Sequence, residues 1–132
     1  MKKRIPVLVA LAALLVLGGG ARAADDVTAN DLKQIGLAYH NHHDATNKAP
    51  AKAKDLAPYF ENSKRLLDHL ESGRIRFIYN VSIRDMVDGT SNTILAHVKE
   101  APAKGGLVLY GDGSVRKLTS DEIKKAIFAR KR

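Results

Sequence analysis

The sequence predicts an α+β fold: an N-terminal helix packed on a small antiparallel β-sheet, with short helices in the middle and at the C-terminus. Apolar residues recur at three- and four-residue spacing from Leu32 to His43, which is typical of a helical stripe. From Ile75 to Val81 the apolar residues instead alternate with polar ones, which is typical of a half-buried strand. A later Asp112-Gly113 pair between two apolar runs predicts a β-hairpin.

The first 23 residues have the pattern of a cleaved signal peptide. Basic residues 2–4 precede an apolar run from Val7 to Leu17, and Ala21-Arg22-Ala23 is a small-x-small cleavage signal. The run is shorter than the roughly 20 residues of a membrane span, although an uncleaved anchor is the alternative. The sequence thus predicts export to a periplasmic or extracellular location, with residues 24–132 forming a single domain and no stable membrane insertion after cleavage.

The composition limits the chemistry of the mature chain. Cleavage would remove four of the 22 basic residues and none of the 14 acidic ones, which lowers the formal net charge from +8 to +4. The basic residues near the end could contact anionic lipid, cell-wall polymer or nucleic acid, or could simply be solvated. They lack the interleaved aromatic residues of a base-stacking platform, so no nucleic-acid partner is expected. The absence of cysteine excludes disulfides, a thiol nucleophile and thiolate metal ligands.

The predicted helices have recognisable ends. Thr28, Asn30 and Asp31 offer oxygen atoms to cap the first helix, and Gly36 within it suggests close approach by another element. A loop from Asp44 to Lys54 leads to a short turn capped by Asp55. The second helix is expected to begin at Asn62 or Ser63, to bury three leucines and to stop at Gly73; the leucines are Leu66, Leu67 and Leu70.

Three further strands and a closing helix are expected. In the second strand, Ile94, Ala96 and Val98 should share one face. Runs 107–110 and 114–118 form the hairpin, whose register a bulged turn would shift. Thr119 and Glu122 form a capping box, and the helix that follows is predicted to offer three side chains to the core: Ile123, Ile127 and Phe128.

Three blocks of residues carry a family resemblance. They are residues 32–44 (LKQIGLAYHNHHD), residues 88–93 (DGTSNT) and the glycine-rich set Gly105-Gly106 with residues 111–115 (GDGSV). In this order they resemble the pseudopilin-like domain-of-unknown-function family of planctomycete-type bacteria, which is related to the type II secretion pseudopilin G. The resemblance implies a pilin-like fold and no established activity.

The chain departs from that family in three places. An ordinary signal peptide stands where typical members have a prepilin leader and a long hydrophobic helix, so the resemblance does not extend to packing in a pilus. The middle region is compressed to about Asp55–Gly73. A histidine common before the paired glycines is absent, and Ala103 and Lys104 occupy that neighbourhood.

The histidine-rich end of the first helix is the candidate metal site. His40, His43 and Asp44 lie at positions i, i+3 and i+4, so they could share a helix face and bind Zn²⁺ or a similar divalent ion. A fourth ligand would have to come from His69, His97 or a distant carboxylate. The structural alternative is that His43 extends the buried stripe while His40 and Asp44 form hydrogen bonds at the helix end.

The remaining motifs favour turns over catalysis. Residues 88–93 could bind an anion through backbone amides, or form a turn bonded by its own side chains. Ser91 lacks the Gly-x-Ser-x-Gly context of a hydrolase nucleophile. We therefore expect a non-enzymatic protein without a cofactor, acting through an unknown protein or cell-envelope partner. The alternative function is that of a small divalent-metal-binding protein.

Overall fold

The structure, a computed structural model, describes residues 26–61 and 63–132. The predicted signal peptide and Asn62 lie outside these residues. The helices and strands are α1 (Ala29–Thr46), α2 (Ala53–Leu56), α3 (Lys64–Ser72), β1 (Ile75–Phe77), β2 (Thr93–Val98), α4 (Ala101–Lys104), β3 (Gly106–Tyr110), β4 (Val115–Leu118), α5 (Ser120–Lys124) and β5 (Ile127–Phe128). Short 3-10 turns cover Ala57–Tyr59, Ile83–Asp85 and Thr90–Asn92. The predicted α+β class is confirmed.

Helix α1 begins with a capping box. The Thr28 N–H donates to Asp31 Oδ2 at 2.9 Å, and the Asp31 N–H donates to Thr28 Oγ1 at 3.1 Å. The helix ends at Asn47, whose φ of 57° places it in the left-handed region. The helix thus runs past the predicted loop start at Asp44.

The buried stripe of α1 ends on a different histidine from the one the sequence predicted. His42 is only 8% exposed, whereas His43 is half-buried. The buried positions Leu32, Ile35, Tyr39 and His42 are spaced by three, four and three residues, which keeps them on one helical face. The prediction that His43 extends the buried stripe was therefore wrong, because His42 takes that position.

Helix α3 has the predicted end. Gly73 follows it with φ 85°, a conformation that costs glycine little, and its N–H donates to the Leu70 carbonyl. Ser63 occupies the N-cap position without a capping side-chain bond. Leu66 and Leu70 are buried as expected.

The sheet has the order β1-β2-β3-β4, with antiparallel neighbours, so the predicted meander is confirmed. Strand β5 is an addition that the sequence analysis did not foresee. It pairs in parallel with β2, through Thr93 with Ile127 and Ile94 with Phe128.

A bulge in β2 changes which side chains share a face. Ile94 pairs with Tyr110, but Ala96 pairs with Leu109, which leaves Leu95 as an extra residue. Leu95 and Ala96 therefore both join the core on the α1 side, and Ile94 joins a second cluster on the other side. The predicted alternation of Ile94, Ala96 and Val98 on one face was wrong for this reason.

The first strand is shorter than predicted. Ile78 still donates its N–H to the Leu95 carbonyl at 3.0 Å, but Asn80 has φ 64° and donates its N–H to the Pro50 carbonyl. This left-handed residue turns the chain away from β2. Strand β5 pairs with the stretch of β2 edge that β1 does not reach.

The end of the chain also differs from the prediction. The Thr119–Glu122 capping box is present, and Ile123 is buried. The helix stops at Lys124, however, and Ile127 and Phe128 lie in β5 with 44% and 36% of their surface exposed. Their predicted place in the core was wrong, because pairing with β2 replaces further helical turns.

The two sides of the sheet are covered unequally. Helix α1 and the segments around α2 and α3 enclose the larger core, in which Tyr39 Oη donates to the Val81 carbonyl at 2.8 Å. Burial raises the pKa of the Tyr39 hydroxyl far above its ordinary value, so it stays a donor. Helices α4 and α5 contribute Ala101 and Ile123 to the smaller cluster on the opposite face. Among the described helices, none combines the length and apolar character required to cross a bilayer.

Candidate functional site

The first two sequence blocks and residues 111–115 of the third meet at the turn between β3 and β4. This turn has three loop residues, Gly111 to Gly113, and is closed by bonds from Tyr110 N–H to the Ser114 carbonyl at 2.8 Å and from Gly113 N–H to the Tyr110 carbonyl at 2.9 Å. Only Gly113 among the three has a positive φ, 91°. The hairpin is therefore confirmed in its bulged three-residue form, not as a two-residue Asp-Gly turn.

The block in residues 88–93 joins this turn through its backbone. The Gly111 N–H donates to the Thr93 carbonyl at 2.9 Å, and the Asp112 N–H donates to the Thr90 carbonyl at 3.1 Å. A Cβ on Gly111 would displace the Met86 thioether and would lie 3.2 Å from the Thr90 carbonyl oxygen, so the packing here is tight. The block thus supports the hairpin.

Helix α1 joins the same turn at two points. A Cβ on Gly36 would lie 3.0 Å from Leu109 Cδ1 and 3.1 Å from Gly113 Cα, so the predicted close approach at Gly36 is confirmed. One helical turn later, His40 Nε2 lies 2.7 Å from the Gly111 carbonyl oxygen. Because a carbonyl only accepts, this nitrogen carries the hydrogen.

The three candidate metal ligands are placed differently from one another. The Nε2–H of His40 is already hydrogen-bonded to the Gly111 carbonyl oxygen. His43 is half-buried and its Nε2 has no hydrogen-bond partner among the residues that the structure describes, whereas Asp44 is exposed. Within residues 26–61 and 63–132, no group of three or more histidine, cysteine or acidic side chains is arranged to hold a metal ion. The geometry therefore does not favour the metal alternative, which stays a prediction.

The Asp88–Thr93 block has the bonding of a turn. The Asn92 side chain donates to the Asp88 carbonyl at 3.1 Å, and Thr93 Oγ1 donates to the Gly89 carbonyl at 2.7 Å. Ser91 is exposed, and among the described residues no histidine or carboxylate forms a hydrogen bond with it. These contacts favour the structural interpretation of the block over an anion site or a nucleophile.

A buried polar cluster lies at the other end of α1, and the sequence analysis missed it. Asp31 Oδ2 accepts from Arg65 at 2.9 Å and lies 3.6 Å from Nε2 of His69, which is 1% exposed. His69 Nδ1 accepts from the Arg74 Nε–H at 3.0 Å, so the imidazole is neutral. Burial, reinforced by Arg74 and Arg65 and only partly offset by Asp31, lowers the pKa of His69. The cluster joins α1, α3 and the start of β1.

An exposed groove beside β5 is the best candidate for contact with another molecule. Of the large apolar side chains exposed in the described residues, three line it: Val87, at 64% exposure, Ile127 and Phe128. The groove has a volume of about 440 Å³, and its charged lining residues are Asp85, Asp88, Arg130 and Arg132. We name the surface formed by Val87, Ile127, Phe128 and residues 130–132 the β5 surface.

The sequence predicted that Ile127 and Phe128, two residues of the β5 surface, would lie in the core. The pattern from Ile123 to Phe128 fits a helix stripe, and only the folded structure shows that Ile127 and Phe128 lie in a strand and are exposed. The basic residues on both sides of Ile127 and Phe128 were the available signal, since strong charge on either side of an apolar pair argues against burial.

One comparison with known proteins gives a match. The family model described as "Protein of unknown function (DUF1559)" matches residues 21–75, fewer than half of the 132 residues. Over this part the chain is similar to a family of unknown function; the part contains all of α1 and the first sequence block. The second and third blocks lie beyond residue 75. No curated protein and no solved structure gives a match to the chain.

Proposed function

We propose that this protein is an exported, non-enzymatic, pseudopilin-like domain that acts by binding a partner in the cell envelope through its β5 surface. The observation that carries the proposal is the grouping of Val87, Ile127 and Phe128 around one groove. Single exposed apolar residues are ordinary, but several around a groove with a charged rim are typical of an interaction site.

The bonding of the other candidate residues supports a non-enzymatic role. His40 holds the hairpin turn, and the Asp112 carboxylate accepts from the Ser114 N–H at 2.9 Å and from Ser114 Oγ at 2.7 Å. These groups serve the local fold, and a catalytic site needs side chains available to a substrate. The helix-on-sheet fold and the similarity over residues 21–75 support the pseudopilin-like assignment.

Export is the part of the proposal that rests on the sequence pattern of residues 1–23. The test is mass spectrometry of the protein recovered from the native host. A mature chain that begins at Ala24 in the envelope fraction or medium is the expected result. An intact Met1 in the cytoplasmic fraction would refute export.

Contact through the β5 surface is tested by photo-crosslinking in intact cells. A benzophenone amino acid replaces Phe128 in one variant and Leu37 in a matched variant, because Leu37 is 60% exposed on α1 and does not line the groove. We expect a discrete adduct, with protein or lipid, only from position 128. Equal adducts from both positions, or none from position 128, would contradict the proposed interaction site.

A further inference from the structure

The residues around β5 combine apolar exposure with concentrated positive charge. Segment 124–132 contains five basic residues and no acidic one, and Ile127-Phe128 lie between the two basic groups. All five basic residues are exposed, as are both apolar ones. The strand pairing with β2 fixes Ile127 and Phe128 against the sheet edge, and the Ala129 N–H donates to the Ile94 carbonyl at 2.9 Å, so the two apolar side chains are presented by a folded element.

Nearby acidic groups neutralise only part of this charge. The Arg132 guanidinium lies 3.8 Å from Asp88 Oδ2, and its N–H donates to Asp85 Oδ1 at 3.3 Å. The other four cations take part in no ion pair with the residues that the structure describes; they are Lys124, Lys125, Arg130 and Lys131. A neighbouring groove is lined by Lys125 and Ile127 together with Arg116 and one acidic residue, Glu122.

These two properties together fit the boundary of a bilayer. Anionic headgroups attract Lys and Arg side chains that lie near the membrane surface. Apolar and aromatic side chains gain by entering the headgroup region, while long basic side chains keep their charges in water. A nucleic acid could pair its phosphates with the basic residues, but it would leave the apolar side chains of Val87, Ile127 and Phe128 exposed to water.

We propose that the β5 surface docks reversibly on an anionic lipid membrane, with Ile127 and Phe128 entering the headgroup boundary and the basic residues contacting lipid phosphates. This inference rests on the proposed function and names the partner for the same surface. The basic residues of the β5 surface, together with Lys124 and Lys125 just before the strand, give weak, salt-sensitive attachment. The docking needs no membrane-crossing segment.

Because the protein contains no tryptophan, a single introduced tryptophan can report on its surroundings through its fluorescence emission. The full chain with Phe128→Trp reports on the β5 surface, and Leu37→Trp reports on an exposed apolar position of α1. Both variants carry the same residues 1–25, so lipid affinity of the apolar N-terminal run affects them equally. Each is mixed with vesicles of phosphatidylcholine alone, or of phosphatidylcholine and phosphatidylglycerol in equal parts.

We expect a blue shift of the Phe128→Trp emission with the anionic vesicles only, reversed in about 1 M salt, where the Debye length falls to about 3 Å. The Leu37→Trp emission should not move. Adding Arg130→Glu and Lys131→Glu to Phe128→Trp should abolish the shift. As a control, Lys33→Glu and Lys48→Glu are added to Phe128→Trp, which makes an equal charge change at exposed sites outside segment 124–132. Most of the blue shift should remain in this variant.

Two results would overturn lipid docking. One is an unshifted Phe128→Trp emission with anionic vesicles, and the other is an equal shift at position 37. If position 128 nevertheless forms a protein adduct in cells, or crosslinks to a second copy of the chain, the interaction site survives with a protein partner. If position 128 shows neither lipid response nor adduct, the proposed function fails as well.

Discussion

His40 Nε2 donates a hydrogen bond to the carbonyl of Gly111 at 2.7 Å, which joins the long helix to the β3–β4 turn. The same Gly111 donates its N–H to the Thr93 carbonyl at 2.9 Å. One buried peptide segment is thus held from two sides, by residues distant in sequence. The histidine that first suggested metal chemistry is, in the fold, a connection between α1 and the sheet.

We expect His40→Ala to lower the free energy of unfolding by about 1–3 kcal/mol, because it leaves a buried carbonyl oxygen without its donor. Urea unfolding would show a lower midpoint with an unchanged slope. Asn41→Ala, at an exposed neighbouring position, is the control and should change stability little. Equal stability of the two variants would show that the His40 bond contributes nothing.

Gly36→Val is expected to cost about 1–3 kcal/mol through overpacking. The new Cβ would lie 3.0 Å from Leu109 Cδ1, which can rotate, and 3.1 Å from Gly113 Cα, which is backbone and cannot move without shifting the turn. Thermal unfolding of Gly36→Val is compared with Ala45→Val, which adds a β-branched residue at an exposed site of the same helix. A smaller loss at position 36 than at position 45 would contradict close packing.

Gly113→Val should destabilise the protein by more than about 1 kcal/mol. Nothing lies within 4 Å of a Cβ at this position, so the cost comes from the φ of 91° and not from a clash. Gly113→Asn should cost less, because asparagine tolerates positive φ better than a β-branched residue. If the two variants melt at the same temperature, backbone strain is not the cause.

Stability should fall as the pH drops through the ordinary histidine range, because of His69. Its native pKa lies below the unfolded value of about 6.5, so the unfolded chain takes up a proton first. The free energy of unfolding therefore includes the full contribution of neutral His69 above about pH 6.5. That contribution is lost progressively as the pH falls from there to the native pKa of His69. Protonation would also place a hydrogen on Nδ1, which now accepts from Arg74.

The measurement is urea unfolding of wild type and His69→Gln across this pH range. The wild type should lose more stability than the variant between neutral pH and pH values below about 6.5. His97→Gln, at a partly exposed position on β2, should retain the His69 contribution. A pH dependence that is the same in wild type and His69→Gln would rule out His69 as its source.

We expect no saturable Zn²⁺ binding by the histidine-rich end of α1. His40 is engaged with Gly111, and Asp44 is exposed without a third ligand arranged beside it in the described part of the chain. Calorimetric titration of wild type and the His40→Ala/His43→Ala variant should give the same heats. Saturable binding lost only in the double variant would re-establish the metal-binding alternative.

Local patterns in the sequence were enough to predict several parts of the fold. The N-cap of α1 near Thr28, the Thr119–Glu122 capping box, the Gly73 helix end and the hairpin at Asp112-Gly113 each depend on residues a few positions apart. Local contacts of this kind can be predicted from the sequence because the partners are only a few residues apart and the chain geometry brings them together. The close approach at Gly36 was readable for a similar reason, since glycine within a helix lowers stability unless something needs the space.

Features that depend on distant pairing were misread. The bulge at Leu95 arises from its register against β3, and no residue of β2 alone indicates it. His69 is neutral because the fold buries it and places the Arg74 Nε–H against its Nδ1, and neither condition can be read from the residues beside it in the sequence. The outward position of Ile127 and Phe128 likewise depends on a strand more than thirty residues earlier.

The sequence by itself determined the α+β class, the order of the first helix and the antiparallel strands, and the place of the β3–β4 turn, since period, caps and glycine positions are local properties. Only the tertiary structure determined the burial and the hydrogen bonds of the polar side chains from His40 to Asp44. His42 is buried, His40 donates to the Gly111 carbonyl, and Asp44 is exposed. The tertiary structure also decided that the basic end of the chain presents apolar side chains to the outside. The physical reason is that hydrogen-bond partners and burial depend on which distant backbone arrives beside a residue, and a one-residue change of register reverses the face it occupies.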